Sequence, residues 1–134
     1  MSTSHDLISR FFAAMPEGGL DPEMFTEDLT VTTANSPEPV SGSFYLDGIA
    51  VLQSLFPEGL HYTVDAVIAD GDRAAAEVRS RGTMADGEVF ATRYAFLFTL
   101  REGRIARIDE FFEPEPVQRL IMPKLMAAMA AASG

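Results

Sequence analysis

Glu110, Arg79, Tyr94 and Glu77 are the side chains in this chain whose types could combine to move a proton. All four sit where apolar residues alternate with others, the period of a strand, so sheet register decides whether they meet. A carboxylate beside a guanidinium stays ionised; one left in an apolar pocket has a raised pKa and can serve as acid or base near neutrality. A phenol in the same place can donate to a developing negative charge. The chain has no cysteine, which excludes disulfides, thiolate zinc sites and a thiol nucleophile. His5 and His61 are the two imidazoles, no HxxxH or HxH spacing joins them, and no DxDxDG loop is present. No metal and no cofactor are therefore expected.

The elements that must position these groups follow from the hydrophobic period. From His61 onward four strands fit, at about 61–69, 73–85, 88–100 and 104–112. Asp70-Gly71, Asp86-Gly87 and Glu102-Gly103 separate them as hairpin signals. Upstream, Leu7, Ile8, Phe11, Phe12 and Met15 form one face of a helix that Pro16 and Gly18-Gly19 end. Asp21 with Pro22 starts a short second helix, and Leu29 to Thr33 reads as a strand. Asn35 to Ser43, with two prolines and a glycine, reads as loop. Asp47 then caps a third helix that buries Ile49, Leu52, Leu55 and Phe56. Helices first and a meander afterwards give an α+β domain over 1–113, with helices on one face of the sheet. Residues 114–134 form a helical tail broken at Pro123; Met122, Met126 and Met129 are packing or interface residues in it.

Register turns this into a map. Asp86-Gly87 as a two-residue turn sets Arg81 opposite Thr92, Arg79 opposite Tyr94 and Glu77 opposite Phe96. A three-residue loop Arg101-Glu102-Gly103 sets Glu110 beside Tyr94; a two-residue loop would set it beside Ala95. The three-residue loop is preferred, because Tyr94, Phe96, Phe98, Ile108 and Phe112 then share one face. Asp70-Gly71 as a turn sets Tyr62 opposite Arg79. The expected row is Tyr62–Arg79–Tyr94–Glu110, with Glu77 beside it, amid Phe96, Ile108 and Phe112. Ala74, Ala76, Val78, Ala91 and Leu97 then fall on the convex face, small and apolar, where a homodimer would cover them.

Composition narrows the partners. At 134 residues and 47% apolar content the chain can bury one core. Its net charge of −10 disfavours nucleic acid and anionic membrane surfaces. No basic-then-apolar leader and no long apolar run is present, so a cytoplasmic protein is expected.

The order of elements, with Phe25-Thr-Glu-Asp28, Ser36 to Gly42, Glu77 to Gly82, Asp86-Gly87 and Glu102 to Phe112, resembles the nuclear transport factor two-like superfamily. The SnoaL-like branch looks nearest, with ketosteroid isomerase and limonene epoxide hydrolase as relatives. The resemblance implies a cone-shaped barrel: a curved antiparallel sheet packed by three N-terminal helices and enclosing a pocket. The ligand it implies is a small apolar, polyketide-, terpenoid- or steroid-like molecule, with Phe12, Thr33, Tyr62, Thr92, Phe96, Ile108 and Phe112 around it. The isomerase base falls on Thr33, its phenol near Phe11 or Phe12 and its protonated acid near Phe96, so that mechanism is excluded. The hydrolase acid–Arg–acid set matches Glu77, Arg79 and Glu110, with the first two in reversed order. Its water-holding pair falls on Val31 and Thr33, or on Asn35 if a gap is allowed. The cyclase acid matches Glu110, but strand 88–100 lacks the histidine partner. Two function classes stay open: a cofactor-free isomerase, cyclase, dehydratase or hydrolase, and a non-catalytic ligand-binding or dimer-forming module.

Overall fold

The computed structural model describes residues 3–17, 20–34 and 36–133. Gly18, Gly19, Asn35 and the Met129 side chain lie outside the described residues. Helix α1 (Thr3–Ala14) buries Leu7, Ile8, Phe11 and Phe12 against the sheet, as its apolar stripe requires. The segment from Asp21 is a single 3₁₀ turn, Pro22–Met24, with the Asp21 carboxylate accepting the Glu23 N–H. Strands β1 (Phe25–Thr33) and β2 (Ser36–Ser41) follow, then α2 (Gly42–Ser54). The meander is β3 (His61–Asp70), β4 (Arg73–Thr83), β5 (Val89–Arg101) and β6 (Arg104–Phe112). The six strands form one curved, unclosed sheet in the order β2-β1-β6-β5-β4-β3, with β1 and β6 parallel and the other neighbours antiparallel.

Two expectations about the N-terminal half are corrected. The proline-bearing stretch is a strand, because β2 lies at the sheet edge, where a missing N–H leaves no ladder bond unmade. Helix α2 begins at Gly42, not at Asp47: the Ser41 hydroxyl caps it by accepting the Phe44 N–H at 3.2 Å. The earlier start brings Tyr45 into the helix, on the face of Ile49 and Leu52.

The hairpins carry the larger correction. Thr83 pairs with Val89, so the β4–β5 connection is a three-residue loop, Ala85 to Gly87, closed by Met84 N–H to Glu88 at 2.8 Å. Only Gly87 there has a positive φ, +90°, the geometry of a left-handed bulge and not of a two-residue primed turn. The primed turn occurs instead at Glu102-Gly103, with φ of 54° and 78° between paired Arg101 and Arg104. Moving the β4–β5 register by one residue exchanges the two faces of β4. Val78 now lies opposite Tyr94 and Ser80 opposite Thr92, while Arg79 faces Arg93 and Glu77 faces Ala95. In β6 a bulge at Ala106 shifts the pairing so that Glu110 lies opposite Phe96 and Phe112 opposite Tyr94. Glu110 therefore keeps the face shared with Ile108 and Phe112.

The C-terminal segment is helical. A turn of α3 (Pro114–Pro116), a π turn (Val117–Ile121) and α4 (Met122–Ser133) run in succession, with Pro123 inside α4 and not at a break. The π turn, where the Met122 N–H reaches the Val117 carbonyl, immediately precedes Pro123 and absorbs its missing donor. Val117, Leu120 and Ile121 pack on Phe56, Leu60, Met84 and Phe90 as a second core. Among the described residues, no helix is long and apolar enough to cross a membrane.

Candidate functional site

Between the concave sheet face, α2 and the C-terminal helices lies a cavity of about 400 Å³. Val31, Val40, Ile49, Leu52, Phe90 and Ile121 make up much of its wall. Its polar side chains come from five elements. Glu110 belongs to a cross-strand row Ala76–Phe96–Glu110–Thr33, and Tyr94 and Phe112 belong to the next row along. Tyr62 enters from β3 and Tyr45 from α2.

The Tyr45 hydroxyl donates to Glu110 Oε1 at 2.9 Å. The Tyr62 and Tyr94 rings lie 5.6 Å apart. Tyr94 and Ser80 share a hydrogen bond of 2.9 Å. If Ser80 donates it, the Tyr94 proton is left to point into the cavity.

No Lys, Arg or His lines the cavity among the described residues. Glu110 is thus a carboxyl in an apolar chamber without a cationic partner. Burial pushes its pKa up to about 7, against the downward pull of the Tyr45 hydrogen bond. Burial likewise raises the three phenols well above their ordinary value, with the Glu110 charge adding to the effect. They remain neutral donors while Glu110 exchanges a proton near neutrality. Among the described residues, no three His, Asp or Glu side chains gather as they would to hold a metal ion.

The sequence-derived site residues are divided by this geometry. Glu110, Tyr94, Tyr62, Thr33 and Phe112 line the cavity. Phe12, Phe96 and Ile108 are fully buried behind it, with Phe12 packed on Phe96 and Tyr62 at centroid distances of 4.8 and 5.8 Å. Thr92 is buried opposite Ser80, off the cavity, and its hydroxyl has no partner among the described residues. Arg79 and Glu77 are on the other side of the sheet. Arg79 makes a two-pronged ion pair with Asp65, both contacts 2.8 Å, and Glu77 is exposed nearby. The expected row through Arg79 does not form, because the β4–β5 loop is one residue longer than a two-residue turn and the β3–β4 turn is Gly71-Asp72, not Asp70-Gly71, which with a bulge at Asp65 sets Tyr62 opposite Ser80 and Thr63 opposite Arg79. The same slip turns Ala74, Ala76 and Val78 inward, where they are buried, and leaves Ala91 and Leu97 outside.

Tyr45 is the site residue that sequence reasoning missed. A signal was present: Tyr45, Ile49 and Leu52 follow the i, i+4, i+7 spacing of one helix face, hidden by placing the cap at Asp47.

The SnoaL-like domain profile matches residues 5–108. The chain belongs to the SnoaL-like family. A search of curated proteins gave no match. Among solved structures, a protein from Jannaschia sp. CCS1, provisionally described as a SnoaL-like polyketide cyclase, superposes with a TM-score of 0.75 at 22% identity, over 89% of this chain and 91% of that one. AclR from Streptomyces galilaeus, provisionally a hydroxylase, gives 0.76 at 17% identity over 89% and 86%. A nuclear transport factor two-like protein from Anabaena variabilis ATCC 29413 gives 0.72 at 20% over 83% and 87%. At these identities the likeness is one of fold.

Proposed function

We propose that this chain is a cofactor-independent enzyme that moves a proton on a small, largely apolar, carbonyl-bearing molecule. The observation that carries this reading is Glu110: a carboxyl in an apolar cavity, bonded to one phenol, with no cation beside it among the described residues and a pKa of about 7. A general base is most effective when poised near the working pH. In the proposed step the Glu110 oxygen not held by Tyr45 takes a proton from a carbon next to the carbonyl. The C–H pair moves into the carbon–carbon bond and the carbonyl pair onto oxygen. The Tyr94 phenol donates to that oxygen as its charge develops. Glu110 then returns the proton to another atom of the substrate, which makes the outcome an isomerisation, a ring closure or a loss of water. The description of the Jannaschia relative as a cyclase is consistent with this range.

The proposed partner is a second copy of the chain, and the proposed location is the cytoplasm. On the outer sheet face Ile68 is 71% exposed and Phe111 51%, with Leu97 between their strands. The pairs Arg79–Asp65 and Arg93–Glu113 flank them, so each copy would offer both charge signs to its twin across a two-fold axis.

The test is hydrogen exchange on the neutral ketone dye propionyl-dimethylaminonaphthalene in heavy water. The parent protein should speed exchange of the protons next to the carbonyl, with a rate rising through about pH 7. Glu110→Gln should abolish the acceleration. Binding of the dye without faster exchange would leave the non-catalytic ligand-binding module as the correct reading.

A further inference from the structure

Gly48 stands at the centre of α2, and nothing in the packing asks for a glycine there. Its φ is not in the left-handed region. A Cβ built on it would meet no heavy atom within 4 Å, whereas one on Gly42 would strike Leu29 at 2.8 Å. A mid-helix glycine in place of alanine costs about 1 kcal/mol. Yet Gly48 lines the cavity, and it is also exposed.

Phe44, one turn earlier on the same helix face, shares both properties, with 61% of its surface exposed. The other lining residues are buried or half-buried. A residue that faces both the cavity and bulk water marks the mouth. Met122 and Leu125, one turn apart on α4, line the cavity from the C-terminal side, and α4 packs on α2. The rim therefore has a gap where α2 carries no side chain.

We propose that the gap at Gly48 is the doorway of the cavity and that it admits neutral apolar molecules while excluding anions. The absent side chain sets the width. Charge sets the second criterion: an anion passing Gly48 would meet the Glu110 carboxyl and no lining cation, in a protein of net charge −10. Lys124, the sole lysine, lies on α4 but is engaged away from the cavity, 2.6 Å from Asp86 and 3.7 Å from Glu88. The inference rests on the cavity being the ligand site and not on Glu110 acting as a base.

Stopped-flow fluorescence with the neutral ketone dye tests it, with anilinonaphthalene sulfonate as the anionic counterpart. The parent should bind one ketone dye per chain and the sulfonate at least ~10-fold more weakly. Gly48→Phe should slow association of the ketone dye at least ~10-fold, because the added ring stands in the gap. Gly48→Ala should melt at a higher temperature and associate at a rate between those of the parent and Gly48→Phe. Ala50→Phe, with the same ring on an exposed position off the cavity, should associate at the parental rate. If Gly48→Phe does not fold, Gly48→Leu takes its place. A folded Gly48→Phe that associates as fast as the parent overturns the doorway, and equal affinity for the sulfonate overturns the charge selection. Failure of the parent to bind the dye overturns both the doorway and the proposed function. Binding without proton exchange overturns the proposed function alone.

Discussion

Glu110 couples the chemistry of the cavity to the stability of the fold. Burial raises the carboxyl from 4.5 to about 7, so between those values the folded state holds a proton that the unfolded chain has released. Stability from this group is therefore complete below about pH 4.5 and is lost as pH rises through about 7. The full loss is about 3 kcal/mol. Glu110→Gln is neutral at every pH and should lack the slope. Urea unfolding of both proteins at about pH 4 and about pH 8 checks this. The variant should gain roughly 3 kcal/mol on the parent between the two; parallel behaviour would mean the carboxyl is solvated. This residue was legible in the sequence because Ile108 and Phe112 fix its face whatever the loop length. Arg79 and Glu77 were not, since their face depends on a single residue in a turn.

At the scale of elements, periods were legible and junctions were not. The alternation in residues 61–112 gives the four strands of the meander to within a few residues. Which of two acidic-glycine pairs becomes a primed turn depends on whether the first residue takes a positive φ, and composition does not say: Glu102 does and Asp86 does not. The helix start was obscured in the same way, because Ser41 and Asp47 are both good caps and only packing chooses between them. Packing also sets a steric limit at the base of the second core. A Cβ on Gly82 would stand 2.7 Å from the buried Phe56 ring and 3.1 Å from the Gly59 carbonyl oxygen. Gly82→Ala should cost about 1–3 kcal/mol by overpacking, read as a lower urea midpoint. An unchanged midpoint would show that the Phe56 ring is free to move. Nearby, the buried Gln53 amide bonds both the N–H and the carbonyl of Leu60, at 2.8 and 3.0 Å, and ties the end of α2 to the start of β3. That clamp keeps the cavity wall and the sheet in one frame.

At the scale of the whole molecule, the two faces of one sheet differ in what covers them. The concave face is apolar except for Glu110, the phenols and the hydroxyls of Thr33, Ser80 and Thr92, and α1, α2 and the C-terminal helices cover it. The outer face keeps Ile68, Leu97 and Phe111 in water amid self-complementary charges. Phe111→Lys should convert the proposed dimer to a monomer in sedimentation velocity without altering the cavity, since the side chains on either side of it along β6 point the other way. A parent protein that sediments as a monomer at micromolar concentration would remove the second copy from the account. The inward turn of Ala74, Ala76 and Val78 makes room for the aromatic layer of Phe96 and Phe98, which backs the cavity.

The claim on which the rest depends is that Glu110 titrates near neutrality in its apolar chamber. NMR of the protein labelled at glutamate carboxyl carbons, with Glu110→Gln to assign the signal, measures this directly. The expected result is a midpoint at about 7, moving higher in Tyr45→Phe because the bond that holds it down is gone. A midpoint near 4.5, unchanged by Tyr45→Phe, would contradict the account.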